Sequence, residues 1–100
     1  MYELRFMFDP GSGVCLWAAN DKARERYGYP VDHWQLPLPE NTRRWLSYLI
    51  AWYDTSIDWG YPSDSDDVWS IEESNRFREA ADKGMALVRE GLGAEYAITE

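Results

Sequence analysis

Alternating apolar and polar residues open the chain and predict a β-hairpin. The first strand is indicated by apolar side chains at every second position: Tyr2, Leu4, Phe6 and Phe8. The segment DPGSG supplies a turn, and VCLWA predicts a second strand. A short helix follows, because Asn20 or Asp21 can cap its start and Gly28 can end it.

Two longer segments carry the three- and four-residue spacing of amphipathic helices. The first runs from about Pro39 to Trp59, with an apolar stripe that ends near Ile57. The second begins at SIEE, where Ser70 and Glu73 have the spacing of a capping box, and Gly93 is placed to end it. Its apolar stripe includes Ala81 and Gly84, which are small enough to let the first helix approach closely. The stripe consists of Phe77, Ala80, Ala81, Gly84, Leu87, Val88 and Leu92. The alternation in AEYAIT then predicts a third strand.

These elements predict an α+β fold in a single domain spanning residues 1–100. The expected architecture is a small, mainly antiparallel three-stranded sheet with two long helices packed on one face. The chain order is β-β-α-α-β, with the short helix placed after the second strand. A chain of this length buries a core without needing a metal or a crosslink.

The net charge of the chain disfavours some classes of binding partner. Ten basic and eighteen acidic residues give a net charge of −8, which repels nucleic acids and anionic membranes. The acidic excess is unevenly placed, since no lysine or arginine occurs between positions 54 and 75. Seven acidic residues lie there: Asp54, Asp58, Asp64, Asp66, Asp67, Glu72 and Glu73.

Cysteine and histidine give no sign of catalysis. Cys15 is the only cysteine, which excludes an internal disulfide and favours a reducing cytoplasm. We expect Cys15 to be buried in a strand and His33, the only histidine, to lie on the surface. A helical pair of carboxylates, Asp54 and Asp58, leaves a small hydrolase or transferase as one alternative.

Neither a metal nor a cofactor is expected. The acidic segment around DSDD superficially resembles a calcium-binding loop. The resemblance fails because Val68, Trp69 and Asn75 stand where a calcium loop requires an oxygen ligand, a glycine and a glutamate. We also find no glycine-rich nucleotide-binding motif.

The stretch from Trp52 to Trp69 is the main functional clue, because it combines aromatic rings with carboxylates. Aromatic residues anchor protein interfaces, and clustered charge speeds encounter with a partner of opposite charge. We therefore expect a basic protein partner. The predicted partner-binding residues are Trp52, Asp54, Asp58, Trp59, Tyr61, Asp64, Asp66, Asp67 and Trp69.

In its size, acidity and the segment WYDTSIDWGYPSDSDDVW, the chain resembles the immunity proteins that neutralise bacterial toxins. The resemblance implies stoichiometric inhibition, without catalysis, of a toxin or nuclease with a basic active-site cleft. Two other interpretations stay open. The rings could be core and the aspartates could serve solubility alone. Alternatively, the chain could form a homo-oligomer through Trp45, Tyr48 and Trp52.

Overall fold

The fold is α+β, as predicted, and combines helices with a mixed sheet of four strands. The structure is a computed structural model that describes residues 1–57 and 68–100. Its helices and strands are β1 (Tyr2–Phe6), β2 (Leu16–Ala18), α1 (Asp21–Tyr27), β3 (Pro30–Val31), α2 (Glu40–Asp54), α3 (Ile71–Leu92) and β4 (Tyr96–Thr99). Short 3-10 turns occupy His33–Gln35 and Gly93–Glu95.

The sheet has the strand order β3-β2-β1-β4 and differs from the expected one in two respects. β4 pairs with β1 in parallel, with Leu4 opposite Ile98. The sequence analysis also did not predict β3, which pairs with β2 at the edge of the sheet. Alternation along a strand predicts which side chains share a face, but not the direction of the neighbouring strand. Pro30 fits at this position because an edge strand tolerates a missing N–H.

One face of the sheet is buried against the helices. Strand residues on that face include Leu4, Phe6, Leu16, Ala18 and Ile98, all of which belong to the buried core. Glu3 and Arg5 alternate with the buried residues of β1 and are exposed on the opposite face. Leu46 and Leu49 of α2 and Val88 of α3 are fully buried in the same core. Burying each such side chain contributes roughly 1.5–3 kcal/mol to folding.

Close packing of α2 against α3 depends on a small residue, as the sequence indicated. A Cβ placed on Gly84 would lie 2.7 Å from Cδ1 of Leu49, so a larger residue there would force the Leu49 side chain to move. The predicted α3 stripe missed Met85, which is also buried. Met85 lies four residues after Ala81 and three before Val88, so helical spacing places it on the same buried face.

The first long helix is shorter than predicted. α2 ends at Asp54, because the Thr55 hydroxyl donates to the Trp52 carbonyl at 2.6 Å and the Ser56 N–H bonds to the Tyr53 carbonyl. Asp58, the predicted partner of Asp54 on one helical face, lies outside the described residues. The rest of the predicted helix, residues 58–59, lies outside the described residues.

Both predicted ends of the second long helix are confirmed. The Ser70 hydroxyl accepts from the Glu73 N–H at 3.1 Å, and Gly93 ends the helix with a φ of 72°. Only half of the capping box forms. The carboxylate of Glu73 bonds to Trp52 and Arg76 instead of returning to Ser70.

Candidate partner-binding surface

The structure describes three of the nine residues predicted to bind a partner. Trp52, Asp54 and Trp69 lie where the end of α2 meets the start of α3. The remaining six lie outside the described residues: Asp58, Trp59, Tyr61, Asp64, Asp66 and Asp67. Their part in binding therefore stays a prediction.

Trp52 and Trp69 pack in an aromatic cluster centred on Phe77. We define the Phe77 cluster as Phe8, Trp52, Tyr53, Trp69 and Phe77. The centroid of the Phe77 ring lies 5.1 Å from that of Phe8, 5.1 Å from that of Trp69 and 5.3 Å from that of Trp52. Phe77 is only 8% exposed, whereas both tryptophans are half-buried. The two indoles therefore contribute to the core and to the surface at once.

Hydrogen bonds fix the orientation of both indoles. The indole N–H of Trp52 donates to Oε1 of Glu73 at 2.6 Å, and that of Trp69 donates to the Thr55 hydroxyl at 2.7 Å. Aromatic rings already held in place lose little conformational freedom when a partner binds them. The two rings are thus suited to act as preorganised anchors.

Asp54 connects the end of α2 to the turn after β1. Its Oδ1 accepts a hydrogen bond from the Gly11 backbone N–H at 3.0 Å. A carboxylate in the last turn of a helix is unfavourable toward the helix dipole, and this hydrogen bond offsets that cost. Asp54 thus has a structural role in addition to the charge that it brings to the surface.

Large apolar side chains are exposed next to the Phe77 cluster. Tyr48 is 55% exposed, Val68 58% and Ile71 81%. The Tyr48 ring lies 5.6 Å from that of Trp52, so the exposed apolar surface runs along α2 to the cluster. Sequence analysis found Tyr48 from helical spacing. It missed Val68 and Ile71, because single apolar residues beside a polar segment have no periodicity.

A groove of about 650 Å³ follows this surface between α2 and α3. Trp52 and Tyr48 line it together with Glu73 and Arg76. An ion pair of 2.6 Å joins these two charged groups. The hydrogen bond from Arg76, and then that from Trp52, lowers the pKa of Glu73. Glu73 therefore stays ionised at neutral pH and holds both the indole and the guanidinium.

The sequence was right that Cys15 is buried, but Cys15 precedes β2 instead of lying within a strand, and the surface position expected for His33 is wrong. Cys15 is buried, and burial raises the pKa of its thiol to about 12, which makes it a structural residue. His33 is only 4% exposed, because Asp32 caps the 3-10 turn that carries the ring inward. The Ser47 hydroxyl lies 2.8 Å from His33 Nε2 and also accepts from the Trp34 indole. Burial lowers the pKa of His33.

Two further kinds of feature are missing from the described part of the chain. Residues 1–57 and 68–100 contain no group of three histidine, cysteine or carboxylate side chains arranged to hold a metal ion. Within the same ranges, no helix has the length and apolar character needed to cross a membrane.

Comparison with known proteins assigns the chain to a family. A family model described as Serratia CdiI immunity protein-like matches residues 2–99, which is nearly the whole chain. No curated protein matches the sequence. The match covers every helix and strand of the fold as well as the surface around Phe77.

Proposed function

Because the chain belongs to the Serratia CdiI immunity protein-like family, we propose that it binds a bacterial toxin and neutralises it without catalysing a reaction. The family match carries this proposal, since it spans residues 2–99. An inhibitor of this kind needs a surface complementary to its target and no reaction chemistry of its own. The cytoplasmic location expected from the single cysteine remains a prediction.

The proposed binding surface is the acidic, aromatic region around the start of α3. Trp52 and Trp69 support this choice because both are half-buried rings held in place by hydrogen bonds. Trp59 and Tyr61 are proposed as further anchors. The proposed steering groups are Asp54, Asp58, Asp64, Asp66 and Asp67.

A basic toxin fits this surface best. The net charge of −8 repels anionic partners and attracts cationic ones over distances of about a Debye length, roughly 10 Å at 0.1 M salt. Attraction of this kind mainly raises the association rate, while the buried rings slow dissociation. An inhibitor that must reach a toxin before it acts gains from both effects.

Stoichiometry tests this proposal. The chain is immobilised and exposed to lysate of the source organism at low salt. The toxin that it retains is released at high salt, identified and purified. Its activity is then measured against increasing amounts of the chain. We expect activity to fall linearly and reach zero at one chain per toxin. Loss of activity at strongly substoichiometric amounts would indicate catalysis, and full activity at excess would contradict inhibition.

Self-association is a second candidate, favoured by the exposed aromatic surface of α2. A groove of about 540 Å³ is lined by Trp45, Tyr48 and Trp52, and its charged rim carries both Glu79 and Lys83. A rim of mixed sign can pair with its own copy across a two-fold axis. Sedimentation velocity at several protein concentrations tests this candidate. A concentration-independent monomer would contradict it.

A further inference from the structure

A pocket of about 460 Å³ is lined in part by Trp69 and shares no lining residue with the 650 Å³ groove between α2 and α3. It lies between the end of β1, the end of α2 and the first half of α3. Its size falls within the roughly 300–1,000 Å³ range of small-ligand sites. The aromatic side chains that line it are Phe6, Phe8, Tyr53, Trp69 and Phe77.

Charged groups surround the mouth of the pocket. Asp82 and Glu100 bring carboxylates to it, and Arg78 brings one guanidinium. All three side chains are exposed, and within the described residues none of them takes part in an ion pair. With two carboxylates and one guanidinium, the mouth carries a net negative charge.

Elsewhere in the molecule, cations of the chain itself cover aromatic rings. Lys22 Nζ lies 4.4 Å from the centroid of the Tyr2 ring, and Lys83 Nζ lies 4.8 Å from that of Trp45. Among the described residues, no cation lies over the rings of Phe8, Trp69 or Phe77. The pocket thus offers aromatic surface and carboxylates to a cation that comes from outside.

We propose that this pocket receives one arginine side chain of the toxin, with the guanidinium between the aromatic walls and the carboxylates of Asp82 and Glu100. Arginine fits better than lysine because its planar, weakly hydrated guanidinium stacks on rings and donates several hydrogen bonds to carboxylates. The inference rests on the proposed function and names the group of the partner that the surface recognises.

A ligand pair that differs only in charge tests the pocket without the toxin. The ¹⁵N-labelled protein is titrated with N-acetyl-arginine amide and, separately, with the neutral N-acetyl-citrulline amide. The reporter is the indole N–H signal of Trp69, identified by its absence from the Trp69→Phe spectrum. We expect a saturable shift with a Kd in the millimolar range for arginine, and binding at least several-fold weaker for citrulline.

Two variants at the mouth should change arginine binding in opposite directions. Asp82→Asn should weaken binding about two- to fivefold, and Arg78→Gln should tighten it by a similar factor. Glu79→Gln is the matched control, because Glu79 lines the 540 Å³ groove beside Trp45 instead of this pocket. The control should bind arginine like the unmodified protein.

Three outcomes would overturn the arginine assignment. They are equal binding of citrulline and arginine, the reverse order of the two mouth variants, and the lack of any saturable Trp69 shift at the highest soluble probe concentration. None of these outcomes depends on the toxin. If the probe does not bind but the chain inhibits the toxin one to one, only the pocket assignment is wrong. If the probe binds but the chain does not inhibit the toxin, only the proposed function is wrong.

Discussion

The two ends of β1 carry aromatic clusters that differ in what surrounds them. At the start of the strand, Tyr2 stacks on Tyr96 with ring centroids 5.0 Å apart, and the hydroxyls of Tyr27 and Tyr96 lie 2.6 Å apart. Lys22 covers this tyrosine cluster. Beyond the other end of the strand lies the Phe77 cluster, with a pocket beside it and two carboxylates at the mouth.

The tyrosine cluster, which consists of Tyr2, Tyr27 and Tyr96, finds its hydrogen-bond and cation partners within the chain itself. Its hydroxyls pair with each other, and burial followed by the hydrogen bond with Tyr27 raises the pKa of Tyr96 to about 12. Tyr27 belongs to α1, Tyr2 to β1 and Tyr96 to β4, so the cluster joins the first helix to two strands. Aromatic content therefore does not by itself mark an interface. The charge that surrounds the rings separates the structural cluster from the candidate binding site.

Truncation at the centre of the Phe77 cluster should have the largest effect on stability. Phe77→Ala removes a nearly buried ring that contacts Phe8, Trp52, Tyr53 and Trp69. We expect the free energy of unfolding to fall by about 3–5 kcal/mol, measured by urea denaturation. Phe77→Leu should lose less, because it keeps most of the buried volume. A loss below about 1 kcal/mol for the alanine variant would show that the cluster is not part of the core.

The paired hydroxyls of the tyrosine cluster should contribute less. Tyr27→Phe and Tyr96→Phe each remove one partner of the same hydrogen bond, at a cost of about 0.5–1.5 kcal/mol. The double variant should cost about as much as either single variant, because the bond is already lost. Denaturation of all four proteins measures this coupling. Additive losses would mean that the two hydroxyls act independently.

His33 belongs to neither cluster and should make stability depend on pH. Burial lowers its pKa in the folded protein, so the unfolded chain binds the proton more readily as pH falls through about 6.5. We expect the free energy of unfolding to decrease from pH 7.5 to pH 5.5, above the range where carboxylates titrate. The slope should become flatter in His33→Gln. An unchanged slope in that variant would assign the pH dependence to other groups.

The smallest effect on stability is expected where the Lys22 ammonium lies over the half-buried Tyr2 ring. Lys22→Gln removes the ammonium above Tyr2 and should lower the free energy of unfolding by about 0.5 kcal/mol. It should leave N-acetyl-arginine amide binding unchanged, because Lys22 lies at the other end of the sheet from the pocket. Weakened arginine binding in this variant would contradict the separation of the two clusters.

Local sequence signals predicted the features that depend on neighbouring residues. The Asn20 cap of α1, the Ser70 cap of α3 and the Gly93 stop were all readable within a few positions. So was the close helix contact at Gly84, which needs only the absence of a side chain on the apolar stripe. These features follow from propensity and hydrogen bonding within one or two turns.

Features that depend on tertiary position were not predictable. Strand alternation carried no information that β4 would run parallel to β1. The inward turn of His33 depends on Ser47, which belongs to another element. The pocket combines Phe8 with Phe77, far apart in the sequence, and its charge depends on Asp82 and Glu100, which also lie outside the stretch from Trp52 to Trp69. Sequence analysis therefore identified Trp69 but not the cavity that Trp69 lines.

We propose that a cationic toxin binds the acidic stretch from Asp54 to Asp67 together with the Phe77 cluster. The matched comparison removes three charges in each of two variants. The aspartate variant combines Asp64→Asn, Asp66→Asn and Asp67→Asn. The glutamate variant combines Glu3→Gln, Glu25→Gln and Glu95→Gln. These three glutamates are exposed and lie in the half of the fold that holds the tyrosine cluster. Both variants have the same net charge, so any difference between them reports where the charge lies.

The most direct measurement is the association rate constant with the purified toxin, followed by stopped-flow tryptophan fluorescence over a range of salt concentrations. We expect the aspartate variant to associate roughly tenfold more slowly than the unmodified protein at low salt, with a flatter salt dependence. The glutamate variant should stay close to the unmodified protein. Equal rates for the two variants, or an association rate that does not depend on salt, would contradict the account.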